Sequence, residues 1–206
     1  MKNKTLIFSA TYNEADNISY FLKYIDELNL DIDVLIVDDN SPDKTWKIVE
    51  DYSKGKDNIK LIVREKKEGL DTAHKFAYEY AIKNDYDFLI TLDSDLSHDP
   101  KKIPEFIKEL KENIFVIGSR YMEGGKCDMK GFRLFLSYYG NKFIKFLSGI
   151  NCDEFTTSFR GFSLKKLNDF HLNIVNSKGY SFFMETVHLL HKKGITIKQV
   201  PIYFKD

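Results

Sequence analysis

Several features that usually assign a protein quickly are scarce in this sequence. Two of its 206 residues are cysteine, Cys127 and Cys152, and they form no C-x-x-C pair. That argues against a disulfide framework or a structural zinc site and points to a reducing, cytoplasmic setting. Neither charge is in surplus: Lys+Arg and Asp+Glu each number 31. A chain of zero formal net charge has no general pull toward nucleic acid, so any anion site must be built locally. No apolar stretch approaches the roughly 20 residues that span a bilayer. Met1 to Lys4 lead straight into a strand-like run, so no signal peptide is expected. His74, His171, His188 and His191 show no metal-ligand spacing, and His98, in a polar loop before Asp99-Pro100, reads as structural.

What remains is an ordinary globular composition, 43% hydrophobic and 30% charged, of a length that fits one domain with a sizeable core. Short apolar runs alternate with helical patterns through the first half. Strands are expected over 5–10, 33–37, 59–63, 88–92 and 114–117, and helices over 15–28, 43–52, 70–82 and 101–110. Such alternation means an α/β fold, a mostly parallel twisted sheet with helices on both faces. The second half is less regular. A helix is expected over 131–149, a strand or loop over 156–163, a helix over 180–192 and a last strand over 195–200. Gly124-Gly125 with Lys126 to Lys130 reads as a mobile loop. The chain divides into a regular half at 1–120 and a less regular half at 121–206, within one domain.

Polar clusters follow three of these strands: Thr11-Tyr12-Asn13-Glu14, Asp38 to Pro42, and Asp93 to His98. Ligands of open α/β sheets bind outside the carboxyl ends of the strands, so the clusters share one rim. Asp93-Ser94-Asp95 offers two carboxylates flanking a small residue, a donor set suited to a hard cation such as Mg²⁺ or Mn²⁺. Taken alone, the triplet reads more readily as a solvated loop capping the helix that follows than as a metal site. Asp39 can accept hydrogen bonds from a base or ribose, Asp38 is better placed to brace the turn, and Ser41 or Asp43 can cap a helix. Tyr12 offers a face for a base and Glu14 an acceptor. Arg64 and Lys67 either approach a diphosphate or lie in a solvated loop.

These residues carry a resemblance. T-Y-N-E at 11–14, V-D-D-N-S-P-D-K-T at 37–45, R-E-K-K-E-G-L at 64–70, L-D-S-D-L-S-H-D-P at 92–100 and G-S-R-Y at 118–121 occur in that order. T-S-F-R at 157–160 and G-Y-S-F-F-M-E at 179–185 follow. The sequence resembles the family 2 inverting glycosyltransferases of the GT-A fold, and within them the polyprenyl/dolichyl-phosphate mannose synthases. The resemblance implies a nucleotide pocket at Ala10, Tyr12, Glu14, Val37 and Asp39. It places Asp93, Ser94 and Asp95 at the donor diphosphate and metal, with Asp95 the first choice of metal ligand and Ser97 a further oxygen. It sets Arg120, Arg133 and Ser137 at an acceptor phosphate. Position 10, usually proline in similar sequences, is Ala10 here, and Glu154 and Asp153 compete for the place of an aspartate before T-S-F-R. Similar sequences also carry basic residues after a P-I-x-F-x-D stretch, which here occupies 201–206.

The implied partners are a nucleotide-diphosphate sugar, GDP-mannose first, and a polyprenyl phosphate, with no nucleic acid. Arginine suits a phosphate acceptor because its donors are planar and bidentate, and positions 133 and 137 share a helix face. The aromatic segment 132–147 reads either as an interfacial helix on a membrane's cytoplasmic face or as a helix packed by several faces. Alternatives are a UDP-sugar enzyme of the same family acting on another lipid phosphate or a sugar hydroxyl, a sugar nucleotidylyltransferase, and a binding module without activity. The nucleotidylyltransferase wants a glycine-rich loop after the first strand, and Ser9 to Asn13 contains no glycine.

Overall fold

The computed structural model describes residues 3–167 and 169–205. Its nine strands are β1 Thr5–Thr11, β2 Asp33–Asp38, β3 Ile59–Val63, β4 Phe88–Thr91, β5 Phe115–Ser119, β6 Lys126–Cys127, β7 Arg160–Ser163, β8 Ile197–Pro201 and β9 Tyr203–Phe204. Its six α-helices are α1 Ile18–Glu27, α2 Thr45–Tyr52, α3 Leu70–Lys83, α4 Ile103–Leu110, α5 Gly131–Ser148 and α6 Tyr180–Lys192. Seven strands form one sheet in the order β3-β2-β1-β4-β7-β5-β8. All its pairings are parallel except those of β7, which runs antiparallel to β4 and β5.

The strands read as continuous apolar runs because both faces of the sheet are covered. Along β1, Leu6 and Phe8 point into a core shared with Ala73, Ala77, Phe162 and Phe183, under α3 and α6. Ile7 points the other way, to Phe21, Leu22, Ile36 and Phe106, under α1 and α4. This alternation follows from the pleat.

The expected elements are present, with boundary shifts that have local causes. α1 begins at Ile18 because Glu14 to Asn17 form a turn, in which Glu14 O accepts from Asn17 N and Ile18 N. α2 begins at Thr45 because Lys44 is left-handed, with φ 62°. Before it, Asp43 accepts from Thr45 N and Oγ1. Of the extended stretch expected at 156–163, only β7 is strand. The segment expected to be a mobile loop is instead tied down: β6 pairs with β9, and Lys126 N donates to Ile202 O. Gly125 permits this, since a Cβ there would lie 2.6 Å from Ser119 O.

One core residue has an acid-sensitive consequence. His74 on α3 is buried, with its ring at 5.0 Å from that of Phe8 and 5.1 Å from that of Phe183. Burial, then the charge on Arg160, lowers its pKa from 6.5 to about 3. Below pH 6.5 the unfolded chain takes up a proton that the fold refuses. His74 therefore contributes stability that is full above that pH and falls as pH drops toward 3, on the order of 5 kcal/mol at most. His74→Leu should flatten the stability profile between pH 6.5 and 4, measured by urea denaturation across that range. An unchanged slope would show that other groups set the acid sensitivity.

Candidate active site

Three loops at the carboxyl ends of β1, β2 and β4 form the rim. Each contains a left-handed residue: Asn13 (φ 62°), Asn40 (φ 54°) and Leu96 (φ 64°). Asparagine tolerates that conformation, but for leucine it costs about 1–2 kcal/mol. The Asp38 carboxylate, fully buried, joins the first two loops. It accepts from Thr11 Oγ1 at 2.7 Å, Ser41 N at 2.8 Å and Ser41 Oγ at 2.7 Å. Ser41 Oγ in turn accepts from Asn13 N, and Thr45 Oγ1 accepts from Glu14 N. Asp38 thus braces the turn, as its position suggested.

The rim opens into a cavity of about 740 Å³. Of the residues expected at the site, Ala10, Tyr12, Glu14, Asp93, Ser94, Asp95, Ser97, Arg120, Arg133 and Ser137 line it. Val37 and Asp39 lie outside that lining. Val37 is in the core. Asp39 is buried and pairs with Arg64, while its other oxygen accepts from Glu68 N at 3.1 Å and Gly69 N at 3.2 Å. Arg64 also donates to Thr72 Oγ1 and Gly69 O, so it fastens the 64–69 loop. Lys67 from that loop reaches the cavity, with Nζ 3.7 Å from the centroid of the Tyr12 ring.

Asp93 and Asp95 both line the cavity, Asp93 half-buried and Asp95 exposed. Asp93 keeps 40% of its side-chain exposure, so the enclosure that raises its pKa is partial; His98 and the Ser158 side chain oppose the rise and Asp95 reinforces it. Burial also raises the pKa of Glu14, against a hydrogen bond from Asn17 and with help from Asp95 and Asp93. Crowded carboxylates of this kind are relieved by a cation. Around them Ser94 Oγ, Ser97 Oγ and His98 Nδ1 are buried and find no hydrogen-bond partner among the described residues. His98 Nδ1 is 3.8 Å from Asp93 Oδ2, beyond hydrogen-bond reach. A buried polar atom left in that state costs about 1–3 kcal/mol. The donor set therefore fits a hard cation. No group of three or more His, Cys, Asp or Glu that could hold a metal occurs among the described residues, so such an ion would complete its shell with water and ligand oxygens. His98 is braced on its other side, where Nε2 lies 3.2 Å from Thr157 Oγ1, and burial lowers its pKa.

The opposite wall comes from the second half. Arg120, at the end of β5, makes a bidentate pair with Glu154, Nε to Oε2 at 2.6 Å and a terminal nitrogen to Oε1 at 2.8 Å. Glu154 is fully buried, and its Oε1 also accepts from Thr156 N and Oγ1. Glu154 is thus the acidic partner of Arg120, and Asp153 instead pairs with Lys145 and bonds Gln199. The Arg120 guanidinium lies 4.9 Å from the Phe204 ring centroid. Arg160, fully buried below, donates to the carbonyls of Thr157, Phe183 and Phe155, and burial lowers its pKa to about 9. On α5, Arg133 and Ser137 face the cavity, and Ser137 Oγ accepts from Tyr121 OH at 2.7 Å. Thr156, Thr157, Ser158, Met129, Tyr180, Phe183 and Phe204 also line the cavity. T-S-F-R and G-Y-S-F-F signalled four of these, Thr157, Ser158, Tyr180 and Phe183, while Met129 and Phe204 are brought in by the β6–β9 pairing, which has no local signature.

Comparison with known proteins bears on the family and the fold. The family described as Glycosyl transferase family 2 matches residues 7–170. The chain is 29% identical over 204 residues to an undecaprenyl-phosphate mannosyltransferase of Micrococcus luteus, covering 98% of this chain and 84% of that protein. It is 28% identical over 206 residues to a polyprenol monophosphomannose synthase of Mycolicibacterium smegmatis, covering 98% and 78%. A solved glucosyl-3-phosphoglycerate synthase from Mycobacterium tuberculosis in complex with UDP shares the fold at a TM-score of 0.72 and 16% identity, covering 99% and 72%. A mannosyltransferase from Pyrobaculum calidifontis, in complex with GDP-Man and Mn²⁺, shares it at 0.61 and 18%, covering 98% and 55%.

Removing one partner of a buried ion pair leaves the other charge uncompensated. Glu154→Ala should therefore lower stability by about 3–5 kcal/mol, whereas Asp153→Ala, at a half-exposed pair, should cost under about 1 kcal/mol. Chemical denaturation of both variants tests the contrast, and similar losses would contradict it.

Proposed function

From the premise that the chain belongs to glycosyl transferase family 2, we propose that it transfers mannose from GDP-mannose to a polyprenyl phosphate, with inversion at the anomeric carbon. The chain is a glycosyltransferase with a GT-A-type sheet. One observation carries the finer reading: a single cavity has paired carboxylates on one wall and arginines on the other, next to an apolar helix face. The near full-length similarity to two proteins named for lipid-phosphate mannosylation supports it.

In this reading Tyr12 and Lys67 flank the nucleotide. Asp95 and Asp93 would hold Mg²⁺ or Mn²⁺, with Ser97 a further oxygen, and the ion would neutralise charge on the leaving diphosphate. Arg133, Ser137 and Arg120 receive the acceptor phosphate. A phosphate monoester has a second pKa of about 6 and is largely ionised at neutral pH, so it attacks without a general base. A sugar hydroxyl would need a base. Glu154, the carboxylate nearest that wall, is committed to Arg120, which favours the phosphate acceptor. Catalysis then rests on alignment of the two substrates and on charge stabilisation.

α5 supports a lipid-side placement. Its outward face exposes Phe132, Phe135, Leu136, Tyr139, Phe143, Phe146 and Leu147, with Phe146 at 82%. A contiguous apolar face of this kind suits an interfacial helix lying in the headgroup region. No helix among the described residues is long and apolar enough to cross a membrane.

Three experiments test the proposal. Calorimetry with GDP and UDP, each with Mn²⁺, should show tighter GDP binding, and turnover of GDP-mannose with a short polyprenyl phosphate should fall about 10²–10³-fold in Asp95→Asn. Tighter UDP binding would sink the donor assignment, and transfer only to a sugar hydroxyl would sink the acceptor. The triple change Phe135→Gln, Phe143→Gln, Phe146→Gln should abolish co-sedimentation with anionic liposomes while retaining the helix. Undiminished sedimentation would remove α5 from the membrane contact.

A further inference from the structure

α5 is amphipathic in an inverted sense. Its apolar face is exposed, and its inward face carries a polar stripe at four-residue spacing: Arg133, Ser137, Asn141 and Lys145. Three of these side chains tie the helix to the rest of the molecule. Ser137 Oγ accepts from Tyr121 OH at 2.7 Å, and Lys145 pairs with Asp153 at 2.7 Å. Asn141, between them, is the one α5 residue that is buried, at 3% exposure.

The amide of Asn141 is used at both ends. Nδ2 donates to Ser137 O at 2.8 Å, and Oδ1 accepts from Phe155 N at 2.8 Å. The Phe155 peptide follows Glu154, which holds Arg120, and precedes Thr156, which lines the cavity. Its carbonyl is held from below by Arg160. The 154–157 segment is thus fixed to the sheet side by Arg160 and to α5 by Asn141. An amide is suited to this post, because it offers a donor and an acceptor on one short, uncharged side chain.

We propose that Asn141 is a positioning residue that sets the separation between the α5 wall, Arg133 and Ser137, and the Arg120–Glu154 pair. It touches no substrate and acts through the Phe155 peptide. The inference rests on the functional reading above, in which those two groups receive one acceptor phosphate. With its apolar face turned outward, α5 has little packing to fix its depth, so its polar ties do so. Small misplacements of a binding group, on the order of 1 Å, cost up to about a hundredfold in rate.

The test compares the wild-type chain with Asn141→Ala and Asn141→Gln, the latter keeping both hydrogen-bonding groups on a stem one methylene longer. KM for a short isoprenyl phosphate should rise tenfold or more in both variants, while KM for the sugar nucleotide and donor hydrolysis without acceptor stay within about twofold. Hydrogen exchange should accelerate at 154–157 in Asn141→Ala and stay unchanged in β1 and β4. Equal rises in both KM values, a loss matched by a fall in folded fraction, or full activity in Asn141→Gln would overturn the positioning role. Failure of the wild-type chain on every isoprenyl phosphate would count against the functional reading. The exchange measurement then decides the clasp by itself, and unaltered exchange at 154–157 would overturn it.

Discussion

The buried pairing of Arg120 with Glu154 fixes one wall of the cleft where the second half of the chain packs on the first. Arg120 stands at the end of β5, and Glu154 on the segment leading to β7. Around the pair converge Thr156, the ring of Phe204 on β9, and the Phe155 peptide held by Asn141 and Arg160. Removing two charges from water costs about as much as their attraction returns. The pair therefore adds little net stability over an apolar replacement. What it supplies is geometry, a guanidinium fixed in one plane at the wall of the cleft.

The facing wall is under the opposite regime. There the carboxylates are crowded, Leu96 is left-handed, and Ser94, Ser97 and His98 keep unmatched polar atoms. Each of these is locally unfavourable, and they are gathered in one loop. Proteins concentrate such costs where a ligand relieves them. The surrounding order makes this tolerable: Asp38 stitches the neighbouring loops together with three hydrogen bonds, and Arg64 fastens the next loop through Asp39.

The first half was legible in the sequence because its signals are local. Thr5 to Ala10 and Asp33 to Val37 are apolar runs of strand length, and the polar clusters that end them lie on the rim as the parallel topology requires. The second half was less so, because its contacts are remote in sequence. Nothing near residue 154 distinguishes it from residue 153; the choice is made by Arg120, 34 positions away. The 126–130 stretch looked mobile because its partner strand, β9, lies beyond residue 200 and spans two residues. Asp39 looked free to meet a nucleotide because its partner Arg64 reads as a loop charge until the chain folds. The exposure of α5 could not be separated from burial by periodicity, since the segment is apolar nearly all round and the polar stripe is one residue wide.

Among the described residues, β7 is the only strand of the large sheet that runs backwards. Its amino end therefore lies at the edge where β1, β2 and β4 present their carboxyl ends, and the segment that precedes it is delivered to the cleft rather than to the far side. A fully parallel sheet would have sent 154–159 to the opposite edge. On the proposed function, the reversal lets one half of the polypeptide change what it would receive without disturbing how the other would hold its donor. Substitutions in α5 and 153–159 can reshape the wall they form while β1 to β4 keep their register. The topology divides the labour of a two-substrate enzyme between two stretches of chain that can vary separately.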